Sequence, residues 1–194
     1  MKRRGLIAAV LVAVAAPAMA QYSESYTFLK AVRERDGDKV AEITGNPSST
    51  AINARESNTG DAALHMVVRG RDLKWVRFLL ARGARPDIQN QDGDTPLMVA
   101  AGIGWVEAAE ALLSVRANVN LPNNGGETPL IRAVQRRDVQ MVRLLLSRGA
   151  NPRHTDSVAG YSALDYARRD NRSAAILRML EAPPVSTQTM GPTR

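Results

Sequence analysis

The triplet Thr95-Pro96-Leu97 returns as Thr128-Pro129-Leu130, and this repeat narrows the folds open to the chain more than any other feature. Weaker copies flank it at nearly the same spacing, Ala62-Ala63-Leu64 before and Ser162-Ala163-Leu164 after. The leucines at 64, 97, 130 and 164 set the period. A fixed period of this length means one supersecondary unit, too small to bury its own apolar face, stacked against copies of itself. Such a stack has one continuous core and a long open surface. That suits binding another macromolecule better than enclosing a small substrate.

The copies agree well beyond the triplet. With those leucines aligned, the second halves read Val76-Arg77-Phe78-Leu79-Leu80, Ala109-Glu110-Ala111-Leu112-Leu113, Val142-Arg143-Leu144-Leu145-Leu146 and, shifted by about one residue, Ile176-Leu177-Arg178-Met179-Leu180. Arg82-Gly83-Ala84, Val115-Arg116-Ala117 and Arg148-Gly149-Ala150 follow, then Asp87, Asn120 and Gly-rich turns. The pattern resembles the ankyrin repeat, whose units carry Thr-Pro-Leu-His, a Val-x-x-Leu-Leu second helix and Gly-Ala-x-x-Asn before a turn. The resemblance covers roughly Asp61 to Leu180. It implies an all-α fold, an ankyrin-repeat solenoid of stacked helix-turn-helix units joined by short β-hairpin-like loops.

Each matched residue type has a local reason to sit where it does. Thr95 and Thr128 are placed to cap a first helix, whose leading N–H groups have no internal partner. Pro96 and Pro129 follow where a missing N–H costs nothing. Leu97 with Ala100 and Ala101 makes one buried helical face. Gly83 and Gly149 fall just past the second helix, where a left-handed residue is commonly required. Asp92-Gly93 and Asn124-Gly125-Gly126 supply positive φ at the loop tips. Arg116 departs from the pattern, standing where the other units have glycine, so a left-handed conformation there predicts modest strain.

The outer parts of the chain read differently. Lys2-Arg3-Arg4, an apolar run from Leu6 to Ala16 and the small-residue end Ala18-Met19-Ala20 have the order of a secretory signal peptide cleaved before Gln21. The apolar run is short for a membrane span, and an uncleaved anchor is the competing reading. The expected location is the periplasm or the medium, as for an exported bacterial ankyrin protein. Thr27-Phe28-Leu29, Val32, Val40 and Ile43 suggest a degenerate helical pair ahead of the repeats. The expected organisation is a signal at 1–20, a capping helical unit at 21–57, four repeats at about 58–90, 91–123, 124–156 and 157–182, and a Pro/Ser/Thr-rich disordered tail at 183–194.

Composition removes several chemistries. The chain has no cysteine, which excludes disulfides, thiol catalysis and thiolate metal sites. Its formal charge of +7 falls to +4 once Lys2, Arg3 and Arg4 leave with the signal. The remaining excess gathers late, from Arg132 to Arg178, which favours an acidic protein or an anionic lipid surface, or is simply a solvated face. Aromatic platforms for single-stranded nucleic acid are lacking.

Candidate chemistry is sparse. His65 matches the family histidine that bonds between turns. His154 with Asp156 has the minimal form of a base and its orienter, the residues a small hydrolase would use, but no nucleophile completes the set. Asp92 and Asp94 lack the remaining ligands of a calcium loop. We expect no enzyme activity, cofactor, metal or small-molecule substrate, no nucleic-acid partner, and a monomer that binds a protein. The resemblance places the partner on the loop tips and the exposed end of each first helix: Asn58, Thr59, Asp61 and Arg69; Gln91, Asp92, Asp94 and Ile103; Asn124, Glu127, Gln135 and Arg136; Tyr161 and Arg169. Trp105 and Tyr161 are of the type that anchors interfaces, and also of the type that packs locally.

Overall fold

The computed structural model describes residues 15–182, with side chains from residue 24 onward. Most of the expected signal segment and the whole 183–194 tail lie outside the described residues. Ten α-helices follow in order: α1 Ala15–Glu34, α2 Gly37–Gly45, α3 Ala63–Arg69, α4 Leu73–Ala81, α5 Pro96–Ile103, α6 Val106–Ser114, α7 Pro129–Gln135, α8 Val139–Ser147, α9 Ala163–Arg169 and α10 Ala174–Glu181. A 3-10 turn, Ala51–Asn53, joins the first pair to the rest. The fold is all-α; among the described residues, hairpin character is limited to the isolated bridges Arg55–Ala62 and Thr155–Ser162.

The helices begin and end where local chemistry dictates. Thr95 and Thr128 hydroxyls accept the N–H of Met98 and Ile131, with Pro96 and Pro129 opening the helices. Asp36, Asp72 and Asp138 cap α2, α4 and α8 in the same way. At the far ends, the N–H groups of Ala84, Ala117 and Ala150 reach back to Leu79, Leu112 and Leu145, a closure that needs a left-handed residue before each alanine. Gly83 (φ 85°), Arg116 (φ 65°) and Gly149 (φ 83°) provide it. Arg116 does so against the preference of an L side chain. Replacing Arg116 by glycine should therefore raise stability by about 1 kcal/mol. A urea midpoint that rises with unchanged slope would show it; an unmoved midpoint would mean the turn is unstrained.

First helices pack on first helices (α3 on α5, α5 on α7, α7 on α9) and second helices on second (α4 on α6, α6 on α8, α8 on α10). Their shared face is one core running from Phe28 to Leu180, with Leu64, Leu97, Leu130 and Leu164 at matching places in successive units. Alanines 100, 101, 108, 109 and 133 are fully enclosed, which lets the helices approach closely. Trp105 is 7% exposed and belongs to this core, so its aromatic surface is used locally.

Candidate partner-binding surface

The loops between helix pairs form a row, and one backbone hydrogen bond ties each tip to the next. The Gln91 N–H donates to the Thr59 carbonyl (3.1 Å), Asn124 to Asp92 (3.0 Å) and Ser157 to Gly125 (2.8 Å). Side chains reinforce the row, since the Gln91 amide donates to Ser57 O and the Asn124 amide to Gln91 O. The exposed tip residues Asn58, Thr59, Gln91, Asp92 and Asn124 thus sit on a braced edge.

Beneath the tips runs a second, buried ladder. Asn90 and Asn123 each fold their own turn by accepting N–H groups on Oδ1, Asn90 from Asp92 and Asp94, Asn123 from Gly125 and Glu127. Their amide N–H groups then donate to the preceding loop, Asn90 to Asp61 (2.8 Å) and Asn123 to Asp94 (3.0 Å). Arg69 also grips Asp61, and Arg132 grips Asp94 with two bonds of 2.8 and 2.9 Å. Asp61 and Asp94, expected at the partner surface, are only 6% exposed, and their carboxylates are committed within the stack. Burial works against charge on Asp61, but the bonds from Arg69 and Asn90 outweigh it and hold its carboxyl below the usual range.

The remaining expected residues divide by exposure. Arg69, Gln135, Arg136 and Arg169 are exposed. Ile103 is half-buried, and its carbonyl accepts from Arg71. Glu127 is half-buried beside Arg132, Asn123 and Gln135. Tyr161 packs edge-on against Tyr166 with centroids 5.6 Å apart, and the Arg169 guanidinium covers its ring at 4.5 Å. An open cleft of about 370 Å³ lies between Val134, Gln135 and Arg137 on one unit and Tyr166, Arg169 and Asp170 on the next.

Both histidines are engaged in structural bonds. His65 is fully buried; its Nδ1 accepts the Ala62 N–H (3.1 Å) and its Nε2–H donates to the Asp94 carbonyl (2.8 Å) of the following loop. Burial pushes its pKa down and keeps it neutral. His154 pairs through Nε2 with the Gly126 carbonyl at 3.1 Å. Asp156 does not orient it. One Asp156 oxygen accepts the N–H groups of Val158, Ala159 and Gly160, and the other accepts the Tyr166 hydroxyl. The base-and-orienter pair suggested by the sequence is therefore not assembled. Among the described residues no cluster of three or more His, Asp or Glu gathers to hold a metal ion.

The sequence alone assigned no structural bond to Asn90, Asn123, Arg132 or Arg137. A signal for part of this was present, because Asn90, Asn123 and Asp156 hold the same place in successive units. Two further ties follow no repeated triplet: Arg35 and Arg137 reach forward one unit to Asp72 and Asp170.

A row of braced loops over paired helices defines a repeat scaffold. Residues 64–156 match the family model of ankyrin repeats, and the chain carries three copies there. The pair α9–α10 continues the stack beyond the matched stretch. Similar proteins include an ankyrin repeat protein of Acanthamoeba polyphaga mimivirus, 38% identical over 64 residues, covering 33% of this chain and 9% of that protein. The nuclear factor NF-kappa-B p105 subunit of Gallus gallus is 37% identical over 68 residues, covering 34% of this chain and 7% of that one. The match thus spans less than a tenth of either relative's length. Ankyrin repeats indicate a module for protein–protein interaction.

Proposed function

We propose that this protein binds a protein partner outside the cytoplasm, through its loop tips and the exposed ends of the first helices. The observation that carries the reading is the bracing of exposed tips into one edge. Residues already fixed in place lose less conformational freedom when a partner docks on them. Export is supported by the basic start, the apolar run and the Ala18-Met19-Ala20 end of the first twenty residues.

Crosslinking in the native cell, followed by capture of the chain, tests both parts. The control carries Asn58, Gln91, Asp92 and Arg136 changed to alanine; all four are exposed, and circular dichroism checks that the variant folds without the Gln91–Ser57 bond. We expect a partner bound by the natural chain and lost from the control, with a captured chain that begins at Gln21. A cytosolic chain retaining Met1 would remove the export reading. Equal capture by both chains would remove the tips as the binding surface.

A further inference from the structure

We propose that the α7–α9 end of the stack takes an acidic polypeptide segment, with Arg136 and Arg169 as its anchors. This rests on the protein-binding reading above and adds the chemistry of the partner. Charge is divided unevenly along the fold. Residues 24–123 hold twelve lysines and arginines against thirteen carboxylates, whereas residues 124–182 hold ten arginines against six.

Those six carboxylates are already engaged. Glu127 holds Arg132, Asp170 holds Arg137 and Glu181 holds Arg168. Asp138 caps α8, Asp165 accepts from Ser162 in the capping box of α9, and Asp156 closes the last loop. Arg136 and Arg169 form no ion pair among the described residues, and both are exposed. The Arg169 guanidinium sits over the Tyr161 ring, 4.5 Å from its centroid, a contact that holds its position while its N–H donors are free to meet a carboxylate. It also lines the open cleft described above. Arg136 extends the other way along the stack to Gly104, where an added Cβ would come within 3.0 Å of the Asp138 carboxylate and 3.2 Å of the Arg136 guanidinium.

These two guanidiniums therefore belong to successive units. The helices that carry them pack about 8–10 Å apart, and Arg136 reaches away from Arg169, so an extended chain needs about three or more residues to pass from one guanidinium to the other. One small anion cannot bridge that gap; a strand with a carboxylate every third residue can. An anionic membrane is the poorer fit. Surface attraction of that kind uses clusters of about four to eight unpaired bases, and on this face Arg132 and Arg137 have partners of their own.

The test is fluorescence anisotropy of a labelled peptide of about fifteen residues, with glutamate at every third position among glycine and serine, titrated with the full chain. Binding should weaken steeply as salt is raised to about 0.5 M. Arg136→Glu with Arg169→Glu should cost about tenfold or more in affinity, whereas Arg143→Glu with Arg148→Glu, the same charge change on and just after α8, should cost about twofold or less. Arg169→Lys keeps the charge, so a loss of about threefold reads the guanidinium fork itself. Circular dichroism confirms that each variant is folded.

Equal losses in the two double variants would overturn the proposal, as would absence of peptide binding. So would binding to phosphatidylserine vesicles that the first double variant abolishes while the peptide is not bound. The broader reading fails separately. If the crosslinked partner is kept by Arg136→Glu with Arg169→Glu but lost from the Asn58, Gln91 and Asp92 alanine variant, the acidic-segment inference falls and protein binding stands.

Discussion

Replacing His65 with alanine should destabilise the protein by about 3 kcal/mol, from the cavity left behind and from two buried polar groups that lose their partner. The groups are the Ala62 N–H and the Asp94 carbonyl. They belong to successive units, so the loss falls on the joint between units rather than inside one. In a chain of this size the shift in melting temperature should be roughly 6–12 °C. A change below about 1 kcal/mol would show that water or a repacked loop takes over the role of the ring.

The same residue sets a pH dependence. Burial lowers the folded pKa of His65 below its usual 6.5, so the unfolded chain takes up a proton more readily. Its stabilising contribution is complete above the unfolded value and is lost as pH falls from there through the folded value, at up to about 1.4 kcal/mol per pH unit. His65→Ala should abolish this component and flatten the stability profile just below pH 6.5. A second acid loss remains at lower pH. Asp61 and Asp156 carry a burial penalty, but hydrogen bonds outweigh it and leave both carboxyls below the usual range. Their contribution is present above the unfolded carboxylate value and disappears as pH falls through the folded ones. Urea melts across the acid range, on the natural and His65→Ala chains, separate the two.

Gly93→Ala is the second large effect. Gly93 has φ 78°, and a Cβ there would lie 2.6 Å from both the backbone nitrogen and Oδ1 of Asn124 in the next loop. The left-handed conformation costs an alanine about 1–2 kcal/mol, and forcing the loops apart adds about 1–3 kcal/mol. Gly160 provides the control. Its φ is 69°, but it closes the last loop and a Cβ there would touch nothing within 4 Å. Gly160→Ala should cost only the conformational part, so the two variants should differ by about 2 kcal/mol in urea melts. Equal costs would mean that conformation, and not the approach of neighbouring loops, requires glycine at these tips. Because the Asn124 N–H bonds to the Asp92 carbonyl beside Gly93, this variant should also weaken partner capture.

Much of this architecture is written in short stretches of chain. The start of α5 needs only Thr95, Pro96 and the few residues after them, and its end needs only a residue free to adopt positive φ, here Gly104. Turns that must be left-handed announce themselves by Gly83, Gly93 and Gly149. These are interactions between near neighbours in sequence, and the recurrence of Thr95-Pro96-Leu97 at Thr128-Pro129-Leu130 shows that they are copied from unit to unit. Arg35, Arg71 and Arg137 escaped that reading, for they hold positive φ between paired helices without being glycine. There, packing of the two helices overrides the residue's own preference.

Exposure of the site residues depends on a different kind of contact. Asp92 and Asp94 are close neighbours in one loop, and nothing local distinguishes their carboxylates. Asp92 faces solvent, while Asp94 is drawn inward because Asn123 in the next loop and Arg132 on α7 donate to it. Asp61 is taken in the same way by Asn90. By itself the sequence determined the unit, its helices and its turns, since those rest on bonds within a few residues. Only the tertiary structure decided which polar side chains bind the stack together and which stay free for a partner, because that choice is made by groups that become neighbours when one unit lies against the next.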